Sequence, residues 1–192
     1  MRKFTLALVL GALALAGPAR AAPVSRVSTA SVPGSMDGEA SIFGLMTPYG
    51  GYAGAGTGVG VGARYQMTLV PEGVLHATRV RDDIGLEFGL DWDHYSWNAG
   101  VPPNNVSFTF NEIAPVLGGV WNFWFNDRLA IYPKVDLFYR IGWWSTNVAG
   151  AQTPGGFGGF DAQFAAGIVY KLDKVALRAE VGSYSLRLGV GF

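Results

Sequence analysis

Cysteine is absent from this 192-residue chain, so neither a disulfide nor thiol chemistry is open to it. Small exported soluble domains often need disulfides to supplement a thin core; this chain must hold together by other means. Only two histidines are present, His76 and His94, which leaves few candidate ligands for a metal centre. Charge is scarce. Asp, Glu, Lys and Arg make up 15% of the sequence, against about 25% in an ordinary soluble domain. Basic and acidic residues balance at 14 each, which argues against the clustered positive surface a nucleic-acid partner requires. Long apolar runs are missing beyond residue 21, so no later segment reads as a membrane-spanning helix. Helical periodicity, tandem repeats and an interdomain linker are missing too.

What is present begins with a targeting segment. Arg2 and Lys3 precede an apolar run from Phe4 to Gly17, and Ala19-Arg20-Ala21 has the small-residue pattern read by signal peptidase. The expected boundaries are a signal peptide over 1–21, a flexible tail over 22–38 and one domain over 39–192. Cleavage after Ala21 removes Arg2, Lys3 and Arg20, leaving eleven basic residues against 14 acidic ones.

From Glu39 onward, short alternating segments are separated by Gly, Pro, Asn and Asp clusters, the pattern of an all-β protein. Successive side chains of a strand point to opposite faces. Ile84, Leu86, Phe88, Leu90 and Trp92 therefore share one face, and Glu87, Asp91 and Asp93 the other. The same separation sets Val135, Leu137 and Ile141 against Lys134, Asp136 and Arg140. Phe160, Phe164 and Ile168 oppose Asp161 and Lys171 in the same way, and Leu177 and Val181 oppose Arg178 and Glu180. Val59, Val61 and Tyr65 oppose Gly58, Gly60, Gly62 and Arg64, and the final strand sets Leu186 and Leu188 against Arg187. Twelve charges, six of each sign, fall on the polar faces. Only Glu112 breaks the pattern, since it shares parity with Phe108 and Phe110.

Parity alone does not say which face points inward. The polar face is rich in glycine and balanced in charge, which suits the crowded interior of an eight-stranded barrel better than a water-facing surface. Trp121, Phe123, Trp124, Phe125, Trp143 and Trp144 gather near strand ends, where membrane barrels carry aromatic girdles. The expectation is a closed antiparallel transmembrane β-barrel, an up-and-down meander of about eight strands. Arg64, Glu87, Asp91, Asp93, Lys134, Asp136, Arg140, Asp161, Lys171, Arg178, Glu180 and Arg187 form its lumen ion network. Longer loops are expected over 98–107 and 146–158, and the connection 70–82 is long for the side where turns are usually short.

The chain ends on Phe192 after Tyr184, Leu186, Leu188 and Val190 at every second position. This strand resembles the assembly signal of outer-membrane barrels, and the whole mature chain resembles the small eight-stranded barrels of the OmpA/OmpX type. The resemblance implies a place in the outer membrane of a Gram-negative cell. It also implies contact with outer-membrane lipid and lipopolysaccharide, and recognition by the barrel-assembly machinery. It implies no activity, no cofactor and no particular extracellular partner.

Motifs that carry chemistry are few. Gly58-Val59-Gly60-Val61-Gly62-Ala63 fits a loose dinucleotide fingerprint but lies in a strand with no helix after it. Glu87, Asp91 and Asp93 suit pairing with arginine better than holding a metal. His94 and Ser96 lie on one strand face, where an imidazole can approach a hydroxyl as general base. If residues 96 and 107 pair, Glu112 lies opposite Asp91, some way along the neighbouring strand from His94. His94-Tyr95-Ser96 resembles the motif of outer-membrane lipid A 3-O-deacylases, with Ser96, His94 and Glu112 in the catalytic roles. Here, however, half the barrel follows the motif. The favoured reading is a non-catalytic barrel with a filled interior; the alternatives are such a lipid hydrolase and a narrow channel. A bulge near Pro115, turning Glu112 inward, is the preferred account of the misplaced charge.

Overall fold

The chain folds into eight strands in sequence order: β1 (Glu39–Thr47), β2 (Gly58–Val70), β3 (Arg81–Ala99), β4 (Val106–Trp124), β5 (Leu129–Val148), β6 (Ala151–Leu172), β7 (Val175–Gly182) and β8 (Leu186–Gly191). This computed structural model describes residues 38–48, 57–75, 81–100, 106–148 and 150–192. The signal segment 1–21, nearly all of the tail and His76 lie outside the described residues. Each strand pairs antiparallel with the next, and β8 pairs back onto β1, closing an all-β meander. The last residue completes the closure: the Phe192 N–H donates to the Ala40 carbonyl at 2.8 Å, and the Ala40 N–H to the Phe192 carbonyl at 3.1 Å. Both ends of the barrel chain therefore lie at one rim, termed lower here; the β1–β2, β3–β4, β5–β6 and β7–β8 connections lie at the upper rim.

Burial alternates along every strand, and the buried face carries the charge. Arg64, Glu87, Lys134, Asp136, Arg178 and Arg187 are all buried, whereas Leu188 is 71% and Phe160 84% exposed on the outside. The glycines of β2 make room for this interior. Gly58, Gly60 and Gly62 stand in register with Tyr95, Asp93 and Asp91. A methyl group at Gly58 would lie 2.1 Å from the Tyr95 ring, and one at Gly62 2.2 Å from Asp91 Oδ1.

The structure corrects several sequence expectations. The stretch 146–158 is not a long loop. β5 runs to Val148 and β6 starts at Ala151, with Val148 and Ala151 paired across a two-residue turn. Gly150 takes a φ of +86° there, and its N–H donates to Asn147 Oδ1 at 3.0 Å. Nor is there a bulge near Pro115. One register joins β3 and β4 throughout, and β4–β5 pairing on both sides of Pro115 fits one register, Ile113 with Ile141 and Val116 with Phe138. The missing proline N–H interrupts the ladder without shifting it. A register shift does occur between Thr68 and Val70, at the lower end of β2 where the long connection begins.

That connection is clamped to the barrel. Asp82 Oδ2 and Oδ1 accept the N–H groups of Val74 and Leu75 at 2.9 and 3.2 Å, and the indole N–H of Trp121 reaches Oδ2 at 2.8 Å. Length on this rim is thus accommodated by tying the chain back through one carboxylate.

Candidate functional site

The centre of the lumen is a network of four basic and five acidic side chains, Glu39 joining it through Arg178 at 3.7 Å. Lys134 Nζ lies 2.7 Å from Glu87, 3.1 Å from Glu180 and 3.4 Å from Asp136, and all four side chains are 0% exposed. Arg187 reaches Asp136 and Glu180 at 3.2 Å and Asp91 at 3.4 Å. Arg64 pairs with Asp91 at 2.5 Å and Glu87 at 3.4 Å, and Arg178 with Glu87 at 3.3 Å. Neutral groups complete the set: the Tyr132 hydroxyl donates to Glu180 at 2.8 Å and Arg178 donates to Gln66 Oε1 at 2.5 Å. The Arg178 guanidinium also lies 5.3 Å from the Tyr132 ring centre and 5.7 Å from that of Phe43. Tyr132 and Gln66 share the polar faces by parity but fall outside the expected ion network, as does Ser41, whose hydroxyl accepts from Arg178 at 3.3 Å.

Above this centre, Arg140 pairs with Glu112 and, at 3.1 Å, with Asp161. Asp93 stands beside Glu112 in the β3–β4 register, buried, with Oδ1 lacking a hydrogen-bond partner. Below the centre, Asp83 accepts from the Asn122 amide and the Trp124 indole, both at 2.6 Å, and Lys171 Nζ lies 5.0 Å over the Trp124 ring. All twelve of the polar-face charges therefore point into the barrel, and Glu112 joins them.

Glu112 lies inward, as the preferred account expects, but without the bulge that account requires: the outward parity it shares with Phe108 and Phe110 holds only if those rings face lipid. Phe110 is instead buried inside, and Phe108 shares its parity. The assumed hairpin register, Ser96 with residue 107, is also wrong: Ser96 pairs with Thr109 and Asn98 with Ser107. Glu112 consequently lies opposite Asp93, not Asp91, and on the reverse side of the sheet from His94 and Ser96. The structure does not bring the three together. His94 Nδ1 is 2.9 Å from Asn111 Oδ1, a contact that requires the proton on Nδ1, and its ring stacks 6.2 Å from Trp92. An amide oxygen thus occupies the place a catalytic carboxylate would take. Among the described residues, no group of three or more Asp, Glu or His side chains is placed to hold a metal ion.

Tyr184, Leu186, Leu188, Val190 and Phe192 all lie on the outside of the last strand. Trp121, Phe123 and Trp143 also have outward parity, but Trp124 and Trp144 face inward, so the two girdles are thinner than the sequence suggested. Below the level of Trp92, Ile113 and Ile141 the outside is apolar. Above it the sheet's polarity is inverted while its parity is unbroken. Outward positions become Ser96, Thr109 and Ser145 on one rung and Asn98, Ser107, Asn147 and Gln152 on another. Inward positions become Tyr95, Phe110 and Trp144, then Trp97 and Phe108. This upper wall belongs to β3–β6.

No family model matches the chain, and no curated protein matches it. Solved structures do share its fold. The attachment invasion locus protein Ail of Yersinia pestis, in complex with the heparin analogue sucrose octasulfate, superposes with a TM-score of 0.50 at 12% identity, covering 81% of this chain and 97% of that one. The structure of Ail alone gives 0.49 at 13% identity over the same shares. Neisserial surface protein A gives 0.41 at 14% identity, over 80% and 93%. The fold is a small eight-stranded barrel of the OmpA/OmpX type.

Proposed function

We propose that the chain spans the outer membrane of a Gram-negative cell as a sealed barrel, and that it displays the β3–β6 wall outside the cell as a surface for interaction, without catalysis. The observation that carries this reading is the inverted distribution of polarity, with Lys134, Glu87, Asp136 and Glu180 inside at 0% exposure and a continuous apolar exterior. Charges removed from water are tolerable only when paired, as these are. An exterior of Val61, Phe88, Leu117, Leu137, Phe164 and Leu177 has no place in water, where contiguous apolar patches seldom exceed a few hundred Å². In a bilayer it is the required surface, and closure satisfies the backbone groups that lipid cannot.

The orientation we infer rests on the polar outer face of the β3–β6 wall. The lower rim, with both ends of the barrel chain, faces the periplasm; the polar wall emerges among lipopolysaccharide. The signal segment is removed after Ala21, and the strand ending at Phe192 is the part read by the assembly machinery. A conducting channel would require Lys134, Arg178 and Arg187 to abandon their partners, so the favoured state is closed. Fractionation of cells expressing the chain, combined with planar-bilayer recording of the purified protein, tests the reading. The expected result is an outer-membrane protein without ion conductance. A soluble periplasmic monomer, or a stable open channel, would overturn it.

A further inference from the structure

Four strands overhang the other four at the upper rim. Ala165 of β6 pairs with Gly182 at the top of β7, yet β6 continues up to Ala151. That is roughly 45 Å along the strand at about 3.3 Å per residue. β2 ends level with Tyr95, while β3 runs on to Ala99. The inner face of this wall is aromatic where it rises past β7 and β8. Phe108 stacks on Phe110 at 6.5 Å and on Trp144 at 6.2 Å, Phe110 on Phe157 at 5.6 Å, and Tyr95 meets Phe110 edge-on at 5.4 Å. Trp97, one rung higher, is 40% exposed. Gly142 and Gly155 leave space for these rings: a methyl at Gly142 would lie 2.4 Å from Phe157, and one at Gly155 2.2 Å from Trp144.

The layer beneath the rings is not neutral. Among the described residues, Asp93, Glu112 and Asp161 share one ion-pairing cation, Arg140, which is committed to Glu112 and Asp161, while Arg187 acts on Asp93 only from beyond ion-pair distance. Asp93 is only 6% exposed, its Oδ1 has no partner, and it lies one inward position below Tyr95. A buried carboxylate without a counterion is costly, whereas every acid of the central network below has a basic partner within 4 Å. Aromatic faces above a surplus of negative charge favour a ligand that is positive yet apolar on its outside. An anion would be repelled, and a hydrated inorganic cation would gain little from the rings.

We propose that the upper mouth of the barrel binds an organic ammonium ion, its alkyl groups resting on the aromatic inner face of the β3–β6 wall above the unneutralised Asp93. The site needs no catalytic group and is independent of whether the lumen conducts.

The test is calorimetric titration of the full mature protein, folded in a polyoxyethylene detergent, with choline and with its neutral isostere 3,3-dimethylbutan-1-ol. Zwitterionic detergents are avoided because many carry a quaternary ammonium themselves. Choline should bind saturably and at least about tenfold more tightly than the isostere, as a charge-dependent contact of one to two kcal/mol requires. Asp93→Asn should fold at least as well as the parent, since it removes a buried charge that lacks a partner, and should erase most of that preference. Trp144→Ala should weaken choline about tenfold. Equal binding of the isostere would reduce the mouth to an apolar pocket, and tighter binding of methyl glucoside would make it a sugar site. Absence of saturable choline binding to protein that still migrates as a folded barrel would also overturn the proposal. Because the measurement is made in detergent, any of these failures leaves the membrane reading standing.

Discussion

Lys134 is the side chain on which the interior depends most heavily, and Lys134→Met isolates its contribution. Methionine keeps the length of the stem and removes the charge. In the parent, Arg64, Lys134, Arg178 and Arg187 pair with Glu39, Glu87, Asp91, Asp136 and Glu180, and the three acids nearest Lys134 lie at 2.7, 3.1 and 3.4 Å with no access to solvent. The substitution leaves one further negative charge uncompensated in a site that water does not reach. Breaking a buried pair from one side costs about 3–5 kcal/mol, and that is the expected loss. It should appear as a lower urea midpoint, at unchanged slope, for protein refolded into lipid vesicles. The decisive control is Lys134→Met combined with Glu180→Gln. Glutamine can still accept from the Tyr132 hydroxyl, which lies 2.8 Å from Glu180 Oε1. The double variant restores the net charge of the parent network and should recover at least about 1 kcal/mol relative to the sum of the single effects, the coupling expected of residues in one network. A loss below about 1 kcal/mol for Lys134→Met, or strict additivity in the cycle, would show that the lumen is hydrated and the network a loose collection of pairs.

Other expectations are checked more directly. Arg140→Ala, which orphans Glu112 and Asp161 together, should cost about 3 kcal/mol in the same urea assay, whereas Arg26→Ala ahead of the barrel should change nothing. Deletion of Phe192 removes the two backbone bonds to Ala40 and the outward aromatic ring; heat-modifiable migration on gels should then show impaired assembly, and undiminished assembly would dismiss the terminal residue as a signal. The amino terminus of the mature protein, read by mass spectrometry, should be Ala22. Lipid A from cells with and without the chain should carry the same acyl groups, and a lost acyl chain that returns with Ser96→Ala would establish the hydrolase instead.

The fold was legible because the strands below the upper rim have to satisfy two solvents at once. Along β5 every charge from Lys134 to Arg140 takes one parity, and Ile131, Val135, Leu137 and Ile141 take the other. No soluble edge or helix produces that separation with so many glycines on the charged side. Register was less legible, since no turn chemistry in 98–107 specifies it, and a displacement of two residues moved Glu112 from Asp93 to Asp91.

The outward parity of Glu112 has a physical cause, which on the outer-membrane reading would also mark where the membrane ends. Assigning faces by hydropathy assumes that the apolar face is the same face along the whole strand. In β4 this holds from Ile113 downward and fails above it, because Phe108 and Phe110 are inward while Ser107, Thr109 and Asn111 are outward. Leaving the bilayer removes the demand for an apolar outside, and a wall standing in water then buries its aromatics on the concave side like any other sheet. Glu112 sits at the last inward position before the change, with no other charge on β4 to mark the inner face below it and aromatics in phase above it, so hydropathy places it with its upper neighbours. The same inversion occurs in β5, where Trp143 points outward and Trp144 stacks inward on Phe108 at 6.2 Å. On the outer-membrane reading proposed above, two adjacent strands changing character along one paired rung, without a bulge in either, would put the upper bilayer boundary near Trp92, Ile113 and Ile141.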